Sequence, residues 1–101
     1  MKIFIISMKS YKERREFQIR QAKQLNLDIT FIDAINGANL SSRELQEAAN
    51  QWTRPICAKD IGCYLSHRKA WEEVSKRNNK CLILEDDVII SKEIKNVINL
   101  V

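Results

Sequence analysis

Glycine and proline are scarce here: two Gly and one Pro in 101 residues. An all-β design needs many tight turns and the residues that make them, so that class is excluded. No apolar run approaches the ~20 residues that cross a bilayer as a helix. The opening Met1-Lys2-Ile3-Phe4-Ile5-Ile6-Ser7 has too short an apolar core for a signal peptide, and charge resumes at Lys9. It reads as a strand, and without an export signal the expected compartment is the cytoplasm. Cysteine is confined to Cys57, Cys63 and Cys81. An odd count with no CxxC spacing predicts free thiols rather than a disulfide frame or a zinc ribbon, reduced and buried. Histidine occurs once, at His67.

What is present is ordinary for a globular chain, 45% apolar and 30% charged residues, and the length suits a single domain over residues 1–101. The net charge of +4 is unevenly spread. Residues 1–25 carry Lys2, Lys9, Lys12, Arg14, Arg15, Arg20 and Lys23 against only Glu13 and Glu16. Such a patch either attracts an anion (a nucleoside diphosphate, an anionic lipid surface, a nucleic acid) or is a solvated helix face. No nucleic-acid motif or interleaved aromatics accompany it, so nucleic acid is not an expected partner.

Residues 2–7 form a continuous apolar run, as a strand buried on both faces does. Ser10-Tyr11-Lys12-Glu13 has the pattern of a capping box and predicts a helix to about Leu25. Leu27–Asp33, rich in β-branched and aromatic residues, predicts a second strand. Asn36-Gly37 marks a turn. Ser41-Ser42-Arg43-Glu44 predicts a second capped helix to about Gln51, and Pro55 breaks the pattern. A longer helix is expected over 59–77, with Ile61, Tyr64, Leu65, Trp71 and Val74 on one broad face. Asn78-Asn79-Lys80 turns the chain into a third strand, 81–85, and Ser91 is placed to cap a last helix through Leu100. This order, β-α-β-α-α-β-α, implies an α/β fold: a parallel sheet with right-handed crossovers and helices on both faces. Strand order 2-1-3 follows, with a ligand crevice between the carboxyl ends of strands one and three.

Three consecutive acids, Glu85-Asp86-Asp87, end the third strand. Repulsion and desolvation make such a cluster costly unless a cation or many donors compensate it. Alternation along a strand lets Glu85 and Asp87 converge on one point, and Mg²⁺ or Mn²⁺ take such oxygen ligands. The competing reading is a solvated acidic loop. His67 shares a helical stripe with Tyr64 and Trp71, where a core or edge histidine with one hydrogen bond is the plainer reading. Asp33, ending the second strand, either receives a ligand hydroxyl or caps a turn.

Taken together, these segments resemble glycosyltransferase family 25, the bacterial lipooligosaccharide-biosynthesis galactosyltransferases. The resemblance rests on Ile6-Ser7 with Glu13-Arg14-Arg15, on Phe31-Ile32-Asp33-Ala34-Ile35-Asn36-Gly37, on Asp60-Ile61-Gly62-Cys63-Tyr64-Leu65-Ser66-His67, and on Leu82-Ile83-Leu84-Glu85-Asp86-Asp87-Val88. It implies a three-layer, Rossmann-like GT-A-type fold and a UDP-sugar donor, UDP-galactose or UDP-glucose. It also implies a lipooligosaccharide acceptor reached at the inner face of the cytoplasmic membrane. By the same resemblance the acidic triplet plays the part of a DxD motif holding Mn²⁺ or Mg²⁺, with Asp87 the direct ligand and Glu85 beside it. Ser7, Arg14, Arg15, Asp33, Ser66, His67, Glu85 and Asp86 form the implied donor-contacting set. A guanidinium fork from Arg14 or Arg15 suits phosphate or the uracil face. The catalytic group is unassigned, with His67 and Asp60 as candidates. Lys59-Asp60 stands where the family usually has Gly-Glu.

Catalytic domains of that family are longer than this chain, which ends one helix after the acidic triplet, so the expectation is a truncated donor- and metal-binding half. The alternative is a folded remnant that self-associates through exposed apolar surface and turns nothing over. A phosphoacceptor receiver domain, also α/β with clustered acids, needs an acidic pair where this chain has Ile6-Ser7-Met8, and is set aside.

Overall fold

A computed structural model describes residues 1–50 and 57–100. Three strands, β1 (Lys2–Ser7), β2 (Ile29–Asp33) and β3 (Cys81–Glu85), form one parallel sheet in the order β2-β1-β3. The central strand β1 is the most apolar, and Ile3 to Ser7 are all buried. That is what a strand covered on both faces requires. Register pairs Phe4 with Thr30 and Ile83, and Ile6 with Ile32 and Glu85. These residues therefore share one face of the sheet, and Ile5, Ser7, Phe31 and Asp33 share the other.

Each face has its own helix. The long helix α3 (Ala58–Ser75) lies on the Phe4 face, where Phe4, Ile6, Ile32 and Ala70 form the core, flanked by Val74 and Ile83. The first helix, α1 (Lys12–Leu25), lies on the other, with the Arg15 guanidinium 4.7 Å from the centre of the Phe31 ring. A shorter helix, α2 (Ser42–Ala49), and a terminal one, α4 (Ile94–Ile98), complete the chain. None of the described helices is long and apolar enough to cross a membrane.

Helix starts separate expectation from outcome. At Ser41 the capping box forms in both directions: Ser41 Oγ accepts from Glu44 N, and Glu44 Oε1 accepts from Ser41 N. The box expected at Ser10 does not form. A turn from Met8 to Tyr11 makes Tyr11 the N-cap, without a side-chain cap bond, and Glu13 then falls one position short of its role. Ser91 likewise closes a turn onto Glu93 N, and the last helix starts only at Ile94. β2 begins at Ile29 rather than Leu27, because α1 ends with Asn26 left-handed (φ 53°) and Leu27 N donating to Ala22 O, a helix stop that asparagine tolerates. The end of the second helix at Gln51 and the break at Pro55 lie outside the described residues.

Two further expectations are corrected. The buried stripe of α3 keeps the expected Ile61 but otherwise consists of Gly62, Ser66 and Ala70, small residues four apart that let the helix approach closely. Trp71 is 52% exposed, on a stripe rotated toward solvent with Tyr64 and His67, its ring centre 6.4 and 6.2 Å from theirs. The cysteines are free, as expected, but not buried: Cys57 and Cys63 are exposed and Cys81 is half-buried. Cys57 sits at the N-cap of α3 and Cys63 faces a cavity, so neither belongs to the sheet-facing stripe.

Candidate active site

Strand order reverses between β1 and β3, and a cavity of about 550 Å³ opens at their carboxyl ends. Open α/β sheets bind ligands in that crevice. Ser7, Met8, Arg14, His67, Glu85 and Asp87 are among the residues that line it.

The parity of β3 divides the acidic run. Glu85 pairs in register with Ile6, so it projects toward α3, where His67 Nε2 lies 3.4 Å from its Oε1. Asp86 falls on the opposite side and is buried there. Its Oδ2 accepts from Ser7 Oγ at 2.7 Å and its Oδ1 from Arg14 Nη1 at 3.3 Å. The strand ends at Glu85, so alternation does not carry Asp87 onto the Glu85 side; a turn brings it to the same cavity. Asp87 is exposed and engages no side chain among the described residues. The triplet therefore comprises one internally neutralised acid between two that face open space.

That turn is clamped from below. Gln18 is fully buried, and its Nε2 donates to Asp86 O (3.0 Å) and Val88 O (2.9 Å). Gln21 Nε2 donates to Gln18 Oε1 and Val88 O, and Gln21 Oε1 accepts from Ile90 N. Nothing in the sequence pattern marked this pair; the one signal is two amides a helical turn apart amid charged residues. Gln18→Ala leaves the buried Asp86 carbonyl without its donor, while Val88 O keeps Gln21 Nε2, at about 1–3 kcal/mol. The expected result is a lower urea midpoint, together with faster amide exchange confined to residues 86–90.

The remaining candidates separate by placement. Arg14 is 54% exposed at the cavity and stacks on Tyr11, its guanidinium carbon 4.8 Å from the ring centre. Arg15, 19% exposed, is an internal brace: Nη2 donates to Ser7 O and Asp33 Oδ1, both at 2.8 Å. Ser66 borders the cavity, but its hydroxyl donates to Gly62 O and accepts from Ile35 N. Asp60 is exposed, hydrogen-bonded by Cys57 Sγ, and does not border the cavity. Asp33 stands apart from it as well.

The hydrogen bond from Arg15 holds the Asp33 carboxyl below its ordinary range, with the charges of Arg15, Lys9 and Lys69 adding and burial opposing. A depressed folded pKa contributes stability that is present above the unfolded value of ~3.9 and is lost as pH falls through that range. The gain is at most about 1 kcal/mol, because the carboxylate is half exposed and screened. The wild type is therefore expected to lose more stability between pH 7 and pH 3 than Asp33→Asn does, measured as the shift in urea midpoint.

Two glycines fix the far wall. A Cβ on Gly62 would stand 2.5 Å from Gly37 N and 2.8 Å from Ile35 O; one on Gly37 would stand 1.7 Å from Ala58 O. The loop after β2 and the start of α3 meet backbone to backbone, which only glycine at both positions allows.

Comparison with known proteins agrees with these motifs. Residues 1–101 match glycosyltransferase family 25, described as LPS biosynthesis protein. Human procollagen galactosyltransferase 2 is 30% identical over 103 aligned positions, covering 92% of this chain and 16% of the relative. A glycosyltransferase 25 family member of Drosophila melanogaster is 32% identical over 97 positions, covering 86% of the chain and 16% of the relative. The human protein named inactive glycosyltransferase 25 family member 3 is 28% identical over 96 positions, covering 85% and 16%. The chain thus spans about a sixth of the length of these relatives. It belongs to glycosyltransferase family 25.

Proposed function

We propose that this member of glycosyltransferase family 25 contributes the donor site of a galactosyltransferase, binding UDP-galactose with Mn²⁺ or Mg²⁺ in a GT-A-type arrangement. The observation that carries the reading is the divided acidic turn. Asp87, without a side-chain partner among the described residues, and Glu85, touched only by His67, face the cavity, while Asp86 is consumed by Ser7 and Arg14. Two carboxylates beside an open cavity suit a hard divalent cation that keeps positions for diphosphate oxygens. The residues therefore fit the ion, with Asp87 and Glu85 as its holders. When bound, it would neutralise charge developing on the departing diphosphate.

The chain's own groups have distinct tasks. Arg14 offers a half-exposed guanidinium to phosphate or to the uracil face. Ser7 and Asp86, tied together, hold the floor beneath the turn. Arg15 and Asp33 keep the ends of β1 and β2 in place and stay away from the ligand. In the reaction the bond from the sugar anomeric carbon to UDP breaks, a bond from that carbon to an acceptor oxygen forms, and the acceptor proton passes to a base. His67, close to Glu85, is the nearest candidate for contact with the donor.

The names of the procollagen galactosyltransferases support galactose as the sugar. The family description supports a lipopolysaccharide-type acceptor, here a lipooligosaccharide. The test is calorimetric titration of UDP and UDP-galactose in Mn²⁺ and again in EDTA. Binding that requires the ion is expected; the absence of binding to a verifiably folded chain would overturn the proposal. Labelled product that partitions with lipid supports the acceptor, and label that stays with protein contradicts it.

A further inference from the structure

The Ile61-Gly62-Cys63 to Ser66-His67 block holds a thiol and an imidazole that the donor reading leaves largely unused. Cys63 Sγ, a ring nitrogen of His67 and a carboxylate oxygen of Glu85 all lie within 4.8 Å of one another. The grouping has a simple origin. Cys63 and His67 are four residues apart on α3, which puts them one above the other on one face. Glu85 leaves β3 on the side of the sheet that α3 covers. Strand parity and helix periodicity thus aim three ligand-bearing side chains at one point on the cavity wall.

Their separation is close to what a small tetrahedral ion needs. Ligand bonds of about 2.0–2.3 Å place neighbouring ligand atoms roughly 3.3–3.8 Å apart. The His67 Nε2 to Glu85 Oε1 distance is already 3.4 Å. Cys63 is exposed and Glu85 half-exposed, so a change of rotamer can close a remaining gap of about 1 Å. The cavity leaves a fourth position open to water.

The donor set also selects the ion. Mg²⁺ and Mn²⁺ take oxygen ligands, whereas a thiolate with an imidazole suits a borderline-soft cation. We propose that Cys63, His67 and Glu85 form a site for Zn²⁺, chemically distinct from the all-oxygen donor site and sharing Glu85 with it. On binding, the Cys63 S–H bond breaks, the proton passes to solvent and a Zn–S bond forms. Occupancy withdraws Glu85 from the oxygen-ligand site, so Zn²⁺ antagonises an ion held by Glu85 and Asp87.

The test uses Co²⁺ as a spectroscopic stand-in and involves no nucleotide, so its outcome is independent of whether the donor reading holds. Added to the reduced wild-type protein, Co²⁺ is expected to give a sulfur-to-metal charge-transfer band in the near ultraviolet, displaced by Zn²⁺. Cys63→Ser removes the band, and His67→Ala weakens Zn²⁺ binding at least about tenfold in competition with a chromophoric chelator, since even partners outside a coordination shell cost that much. Both variants alter side chains at the cavity wall rather than in the core, and far-UV circular dichroism checks their fold. No charge-transfer band in the wild type, or a band that survives in Cys63→Ser, overturns the site.

Discussion

Asp87→Asn is expected to eliminate the Mn²⁺-dependent part of UDP binding while leaving the fold intact. Asp87 is exposed, and no described side chain depends on it. The substitution therefore costs about 0.5 kcal/mol or less in stability, a few degrees of melting temperature at most. Its effect on affinity is large, roughly a hundredfold or more, because removing even an outer partner of a metal ligand costs 10–100-fold. The neighbouring acid has the opposite profile. Asp86→Ala leaves the buried Ser7 hydroxyl with only its long 3.4 Å bond to Met8 O and frees Arg14, which costs about 1–3 kcal/mol. A scan of both variants by calorimetry and thermal melting separates the roles. Equal stability loss in both, or unchanged UDP affinity in Asp87→Asn, would contradict the division of the triplet into one structural and two ligand-facing acids.

Gly62→Ala tests the far wall, and its sign is informative. Helix propensity alone predicts that alanine in the interior of α3 stabilises by about 1 kcal/mol. The packing argument predicts the reverse, since the new methyl would lie 2.5 Å from Gly37 N and 2.8 Å from Ile35 O. Both obstacles are backbone atoms, which cannot rotate away as a flexible side chain could. Overpacking of this kind costs about 1–3 kcal/mol and outweighs the propensity gain at the upper end of that range. The expected net loss, about 1–2 kcal/mol, lowers the melting temperature by roughly 4–16 °C. The same displacement moves the Ile35–Gly37 rim of the cavity, so UDP affinity falls with stability. A more stable Gly62→Ala protein would show that helix and loop are not in backbone contact.

Much of this architecture was legible from local pattern. Three short apolar runs, the second rich in β-branched and aromatic residues, predicted the strands, and the alternation of elements predicted the order β2-β1-β3. The Ser41 box was legible because cap and acid are in true N-cap and N3 positions. Ser10 carried the same pattern three residues ahead of Glu13, but the Met8–Tyr11 turn displaced the helix start, and no local rule contains that turn. The acidic run was found at the end of β3, yet its division was not, because the ladder stops at Glu85 and turn geometry takes over from alternation. Gln18 and Gln21 were missed for a related reason. On α1 the apolar Phe17 and Ile19 are exposed while Gln18 is fully buried, so hydrophobic periodicity points away from the functional face. The aromatic stripe of α3 misled in the same manner: close packing selected small residues for the buried side and left Trp71 outside.

The proposed donor site brings a divalent ion and a nucleoside diphosphate together at the carboxyl ends of β1 and β3. Amide spectra of the ¹⁵N-labelled chain, recorded with trace Mn²⁺ and UDP and again after EDTA, test it directly. Paramagnetic broadening is expected to erase the signals of Ser7, Met8, Glu85, Asp86 and Asp87 and to weaken those of Ile35–Gly37, all at the cavity. Lys2 and Asp28, ion-paired at the opposite end of the sheet about 17 Å away along β1, should be much less affected. Broadening centred elsewhere, or none in a folded chain, would contradict the account.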